Sequence, residues 1–274
     1  MKNWRHFGCL ILAAATLIAC TKSPTGRNQL QLFSSSQLEQ MGNESYAQLK
    51  EQEKLSTDQE LIDYVQCLAD ELIAGLPAEY REKSWEVNVF DSDQINAFAL
   101  PGGNIGVYRG LHEIAETPDQ LAAVMGHEIG HVIAEHGNAR MSNNMLIGLG
   151  LQVGSIVASQ KTDNNTAAMI MAGLGVGAQV GVMLPFSRSH ESESDQLGMD
   201  YMAQAGYNPA AAADLWRNMK VASGGSSPPE LLSTHPSPDS RIDDINDYLP
   251  QVMPIYERQV AAGKGGSCKR PATD

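Results

Sequence analysis

The feature that most constrains this chain is the pentapeptide His127-Glu128-Ile129-Gly130-His131, set in a stretch, residues 117–138, that reads as a helix. Thr117 can cap its start, Pro118 suits the first turn, and Gln120 stands where a side chain can reach back toward the cap. Leu121, Val124, Met125, Ile129, Val132 and Ile133 then supply an apolar stripe at helical spacing. At about 100° per residue, His127 and His131 share a face one turn apart, so their ring nitrogens can converge on one metal ion. Glu128 lies about 100° further round, off that pair but within reach of a water held by the metal.

That spacing suits peptide hydrolysis, which needs a nucleophile and a way to stabilise an oxyanion. Zinc lowers the pKa of a bound water toward neutrality and polarises the carbonyl, while a neighbouring carboxylate takes the proton and passes it to the leaving amine. An isolated H-E-x-x-H also fits a helix with two partly buried, hydrogen-bonded histidines. Here Gly126 and Gly130 lie inside the helix, where each costs about 1 kcal/mol, and that cost points to close approach of another element.

A zinc site with an open position needs a third protein ligand. The candidate segment is Ser187-Arg188-Ser189-His190-Glu191-Ser192-Glu193-Ser194-Asp195-Gln196-Leu197-Gly198, which reads as the opening turns of a second helix with carboxylates near its start. Glu191 and Asp195 stand four apart on one face, so one can bind metal while the other accepts the free ring N–H of a liganding histidine. Glu193 points about 200° away and is expected to face solvent, and His190 has no better claim than a surface histidine.

These two segments together resemble the zinc metallopeptidases of family M48, a group that includes membrane, mitochondrial and bacterial periplasmic proteases. The resemblance continues in Asn96-Ala97-Phe98-Ala99-Leu100-Pro101-Gly102-Gly103 and in Ser233-Thr234-His235-Pro236-Ser237-Pro238, with Arg241 and Ile242 after it, and covers about residues 36–250. It implies that His127, His131 and Glu191 hold one zinc ion per chain, that Glu128 is the general base, and that Asp195 supports the site. It also implies a histidine, His235, that can reach the zinc and take the water's place at rest. The plainer alternative is that His235 hydrogen-bonds within its own rigid turn. Arg241 could pair with an active-site carboxylate or help hold the oxyanion.

In chain order, Lys2 and Arg5 precede an apolar run over residues 7–19, too short for a comfortable membrane span of about 20 residues and therefore read as a signal peptide. Leu17-Ile18-Ala19-Cys20 has the form of a lipobox, with Cys20 the lipidated residue, and Thr21 in place of an aspartate directs the expectation to the outer membrane of a Gram-negative cell, facing the periplasm. Loss of residues 1–19, which carry two basic groups and no acid, takes the net charge from −13 to about −15. Such a balance argues against nucleic acid and polybasic lipid binding. Of the four cysteines, Cys67 and Cys268 remain to form a disulfide, with a lone buried thiol the alternative for Cys67.

The remaining organisation reads as a lipidated tether over 20–35, one peptidase domain over 36–258 and a flexible tail over 259–274. The expected class is α+β: a mainly helical, zincin-like fold with a small antiparallel sheet beside the metal-binding helix. Residues 36–76 show helical periodicity, residues 85–89 alternate as a strand, and residues 97–108 read as a hairpin turning at Pro101-Gly102-Gly103-Asn104. One of these strands is the expected platform for an extended substrate, although a sheet that merely covers the helices is equally consistent. The Gly-, Ala- and Met-rich residues 145–158 and 167–184 suit a close-packed helical hairpin in the core or a surface that touches membrane. Residues 221–229 read as loop, and the chain's end as too short for a helical-repeat domain.

The function expected from these readings is a zinc endopeptidase acting on misfolded or unassembled envelope proteins. The rival is a chaperone or adaptor for outer-membrane proteins that keeps the peptidase fold with little proteolysis, for which loss of Glu128 would have been the sign.

Overall fold

The computed structural model describes residues 20–161, 184–222, 231, 235 and 239–272. The leader at 1–19 lies outside them, as do nearly all of the second apolar segment and most of the 233–238 motif. Strands β1 (Cys20–Lys22) and β2 (Asn28–Leu30) come first, followed by helices α1 (Ser35–Gln52), α2 (Gln59–Ala74) and the single turn α3 (Ala78–Arg81). Next are β3 (Glu86–Phe90), β4 (Ala97–Leu100) and β5 (Asn104–Tyr108), then α4 (Arg109–Ile114) and α5 (Pro118–Ile133). Helices α6 (His136–Lys161), α7 (Leu184–Ala205), α8 (Ala211–Ala222) and α9 (Asp239–Ala261) complete the order. The class is the one expected, largely helical with small sheets. Contacts divide the chain into two compact units: Met1–Ser35 with Ala134–Ser187, and Ser36–Ile133 with Arg188–Asp274.

In the smaller unit β1 and β2 pair antiparallel, with Cys20 opposite Leu30. The stretch read as a tether is thus a hairpin, and its exit is laced to the first turns of α6. The Gln29 amide donates to the Ala134 carbonyl at 2.9 Å, the Leu32 N–H donates to Ser142 Oγ at 2.9 Å, and the Asn138 amide donates to the Phe33 carbonyl at 2.8 Å. A polar composition that suggested a solvated linker supplies instead the partners for backbone groups that would otherwise be unsatisfied. Further along α6, Met145, Leu146 and Leu149 are 46–48 % exposed, so the core reading of residues 145–158 does not describe this part of the helix.

The larger unit holds a three-stranded sheet in the order β3-β5-β4. β4 and β5 form the expected antiparallel hairpin, turning through Gly102 (φ 96°) and Gly103 (φ 84°), a backbone that side chains other than glycine resist. β3 pairs parallel with β5, so the sheet is mixed and the expectation of a wholly antiparallel one is corrected. The reason is topological: residues 91–96 carry the chain past the central position to the far edge, where β4 runs opposite to β3. Its hairpin partner β5 then necessarily runs with β3.

One face of the sheet presents Phe90, Phe98 and Tyr108 to Tyr46 of α1, with ring centroids 5.2–6.4 Å apart. The opposite face, with Val89, Ala97, Ile105 and Val107 all buried, lies toward α2 against β3 and α5 against β4. The helical run read over 36–76 is interrupted at residues 53–58, because backbone there pairs along the outer edge of β3. Ser56 N–H donates to the Val89 carbonyl and Asp91 N–H to the Lys54 carbonyl, both at 2.8 Å, and Asp58 then caps α2 through Leu61 N–H. β3 is thereby covered, and β4 is the sheet edge beside α5.

The tail does not hang free. Cys268 is joined to Cys67 of α2 by a disulfide, which settles the alternative for Cys67, and Arg270 donates to the carbonyls of His112 and Ala115. Across a separation of 201 residues such a link stabilises by roughly 5 kcal/mol in the chain-entropy account. Polar composition was misleading here because it reports nothing of a covalent clamp.

The glycines of α5 meet α7 as their cost implied. A Cβ on Gly198 would stand 2.8 Å from His127 N and 2.9 Å from Gly126 C, and one on Gly130 would stand 3.1 Å from the Ser194 carbonyl. Backbone meets backbone at this crossing, so Gly198→Ala is expected to lower the urea midpoint by the equivalent of about 1–3 kcal/mol. Gly148→Ala, where a Cβ meets nothing within 4 Å, should leave stability unchanged or raise it by up to about 1 kcal/mol. Equal responses of the two variants in equilibrium unfolding would show that the crossing is not tight.

Candidate metal centre

α5 starts with a side-chain cap close to the one expected. Gln120 N–H donates to Thr117 Oγ1 at 3.2 Å, and Gln120 Oε1 reaches back to Glu116 N–H, one residue before the cap, at 2.7 Å. From this fixed start the helix carries His127, Glu128 and His131 into the larger unit's interior. His127 and Glu128 are 5 % and 4 % exposed. α7 crosses at the glycines and brings Glu191 and Asp195 to the same place, so the four-residue spacing on each helix produces two facing pairs.

His127 Nδ1 lies 2.9 Å from Asp195 Oδ1. A carboxylate there accepts an N–H, which places the imidazole proton on Nδ1 and leaves the Nε2 lone pair turned toward His131. His131 Nε2 stands 3.0 Å from His127 Nε2, and the Glu191 oxygens lie 3.3 Å from His127 Nε2 and 3.4 Å from His131 Nε2. His235 completes the group, with Nδ1 at 3.1 Å from both Glu191 oxygens and 3.3 Å from His127 Nε2. One donor atom from each of His127, His131, Glu191 and His235 lies within 4.8 Å of the others. Converging lone pairs and a carboxylate repel unless a cation sits among them, and two or three imidazoles with one carboxylate are the donor set of zinc. The residues present therefore fit the metal that the sequence implies.

Electrostatics keep the two carboxyl groups of the cluster ionised, as ligation and support require. Burial alone would raise the Asp195 carboxyl, but the Arg241 guanidinium and the His127 N–H outweigh it and keep the pKa below the usual range. Burial likewise opposes ionisation of Glu191, and hydrogen bonds from His127, His131 and His235 drive its pKa far below that of an ordinary glutamate. Without a bound ion, burial pushes His131 well down. Burial lowers His127 too, yet hydrogen bonding to Asp195 and Glu191 carries it up to about 9.

Arg241, from α9, is 2 % exposed. Its Nε and Nη2 donate to the two Asp195 oxygens at 2.6 and 2.7 Å, its Nη1 lies 2.9 Å from Glu191 Oε2, and its guanidinium stacks 3.8 Å from the Trp216 ring centroid. Of the two roles open from sequence, the geometry is that of a carboxylate partner, with all three guanidinium nitrogens turned to the acids. Trp216, which also meets His127 edge-on, was not identified from sequence. Its only signal is a large apolar residue on the buried face of a helix, which core packing explains as well. Ala123, Val124, Met199, Leu215 and Leu231 line an apolar recess beside His127 and Trp216, and its low polarity strengthens the ion pair.

Glu128 Oε1 is buried without a hydrogen bond, 3.4 Å from His235 Nε2. His235 thus stands between Glu191, which it hydrogen-bonds, and Glu128, which it only approaches, and its backbone N–H donates to the Leu231 carbonyl at 2.8 Å. Glu193 and His190 are both 4 % exposed, correcting the expectation that they face solvent, and neither belongs to the ligand cluster. Helical angle placed Glu193 away from Asp195 correctly, but α7 is enclosed on more than its metal face. Cys20 is described only through its strand pairing.

The profile of Peptidase family M48 matches residues 57–249. The chain is 31 % identical over 218 residues to a protein named Beta-barrel assembly-enhancing protease from Yersinia pestis, covering 78 % of this chain and 44 % of that one. It is 33 % identical over 177 residues to Mitochondrial metalloendopeptidase OMA1 from Schizosaccharomyces pombe, covering 62 % and 48 %. The chain thus spans less than half the length of these relatives.

Replacing Arg241 by Ala strands two buried carboxylates, for which the expected loss is about 3–5 kcal/mol of stability together with bound zinc. Arg241→Lys keeps the charge but not the fork, and is expected to fall between. Zinc content and urea unfolding of both variants check this, and a wild-type zinc content in Arg241→Ala would remove Arg241 from the site.

Proposed function

Because the chain belongs to Peptidase family M48, we propose that it is a zinc-dependent endopeptidase that hydrolyses peptide bonds in misfolded or unassembled cell-envelope proteins. The observation that carries the reading is the convergence of His127, His131 and Glu191 within reach of a buried, unbonded Glu128 oxygen. Family M48 peptidases are metal-dependent, and His127, His131 and Glu191 are the residues that would hold one zinc ion here. The ion would supply an acidified water and a polarised scissile carbonyl. Glu128 is the general base: its free oxygen accepts the proton and returns it to the leaving amine. Asp195 fixes the tautomer of His127, and Arg241 with Trp216 fixes Asp195. β4, the sheet edge beside α5, offers main-chain groups to an extended substrate.

An envelope address follows from the leader and Cys20, read as a lipidated residue facing the periplasm at the outer membrane. The relative named for β-barrel assembly supports a substrate among envelope proteins. No helix among the described residues is long and apolar enough to cross a membrane. His235 is regulatory in this reading: it stands in the ligand set and close beside the base, and must leave before substrate is attacked.

Glu128→Gln is expected to keep its zinc while cleavage of an unfolded protein falls about 10²–10⁴-fold. Turnover at the wild-type rate, in a sample free of contaminating protease, would reject Glu128 as base. His235→Ala should also keep zinc, held by the other three ligands, and cut the same unfolded protein or itself faster. Unchanged cleavage by that variant would return His235 to a role within its own turn.

A further inference from the structure

Seven large apolar side chains among the described residues are markedly exposed, and four of them, Leu32, Met145, Leu146 and Leu149, belong to the smaller unit. They are not scattered. The hydrogen bond from Leu32 N–H to Ser142 Oγ seats Leu32 beside α6, and Met145, Leu146 and Leu149 follow Ser142 at three, four and seven positions, which is one helix face. The strip therefore begins at Leu32 and runs along α6. From Met141 to Gln160 the helix carries no charged residue.

Leu32 is two residues beyond Leu30, whose strand partner is Cys20. The head of the apolar strip is thus held close to the residue that the leader marks for acylation, with a paired hairpin between them instead of slack chain. Charge points the same way. Residues 20–35 and 134–161 carry Lys22, Arg27, Arg140 and Lys161 against Glu135 alone, in a chain whose net charge is −13. A locally basic unit on an acidic protein is matched to anionic headgroups.

We propose that the face of α6 formed by Met145, Leu146 and Leu149, with Leu32 at its head, rests on a phospholipid bilayer beside the acyl chains of Cys20. The anchor rests on the lipidation reading above, whereas the face stands on its own exposure and charge. Acyl chains fix where the protein is held but leave it free to swivel. An apolar helix face on a unit of net positive charge adds an orientation by lying in the headgroup boundary.

The experiment uses the full mature chain carrying Leu146→Cys, labelled with a polarity-sensitive NBD fluorophore, in vesicles of phosphatidylethanolamine and phosphatidylglycerol. Cys67 and Cys268 are joined and Cys20 is acylated, so the added thiol is the one labelled. The expected result is a blue-shifted emission with vesicles, quenched by nitroxide-bearing lipid, and a much smaller shift for a label at Asn144→Cys on the opposite face. Absence of a vesicle-dependent shift at position 146 overturns the proposal. So does a shift that appears without vesicles and grows with protein concentration, which assigns the face to a second copy of the chain. Intact mass of the mature protein reports acylation separately: an unmodified Cys20 would sink the anchor, and the same label at position 146 in a Cys20→Ser background would then decide the face.

Discussion

Everything in the larger unit's interior depends on two helices being allowed to touch backbone to backbone. An ordinary helix pair keeps its axes 8–10 Å apart because side chains lie between them. Where Gly126 and Gly130 on α5 meet Ser194 and Gly198 on α7, the nearest atoms are main-chain atoms. That approach lets a glutamate and an aspartate, whose side chains are short, reach imidazoles on the neighbouring helix at 2.9–3.4 Å. Longer separation would leave the same residue types in the same order with no common centre. The helix-propensity cost of the glycines is therefore offset by geometry that other residues could not supply.

Bringing so many ionisable groups out of water creates a second requirement. Glu128, Glu191, Asp195, His127 and Arg241 are all nearly buried, and an unpaired buried charge costs several kcal/mol. The arrangement answers this by a chain of pairings: His127 against Asp195, Asp195 and Glu191 against Arg241, Arg241 against the face of Trp216. α8 and α9, remote in sequence from the metal helix, contribute Trp216 and Arg241. Their part in the site is electrostatic support, and it explains why the site needs the whole larger unit and not two helices alone.

The sequence made the centre legible because its chemistry depends on spacing within single helices. Residues four apart share a face whatever surrounds them, so His127 with His131 and Glu191 with Asp195 could be paired at once. The hairpin at Gly102 and Gly103 was legible for a similar reason, since its turn needs positive φ. What could not be read depends on distant partners. The interruption at residues 53–58 lies within an apolar periodicity that continues on both sides, and only the edge of β3 shows why the helix stops. Burial of Glu193 and His190, and the stacking of Trp216 on Arg241, are likewise properties of tertiary neighbours. Polar composition misrepresented both the 20–35 segment and the tail, because side-chain amides lace the one and a disulfide holds the other.

His235 sets the last constraint. Its two ring nitrogens face two carboxylates, Glu191 and Glu128, that perform different tasks in the proposed reaction. A neutral imidazole has one donor and one acceptor nitrogen, so it cannot donate to both acids at once; an imidazolium can. With a cation in the ligand set, Nδ1 or Nε2 must offer a lone pair to count as a ligand, and the contact with one acid is then lost. In the proposed enzyme, the resting arrangement would therefore contain a competition between satisfying the base and satisfying the metal. In the proposed reaction, a substrate carbonyl that displaced His235 would free the surroundings of Glu128 and the ligand position in one movement, so that access to both would be governed by the same side chain.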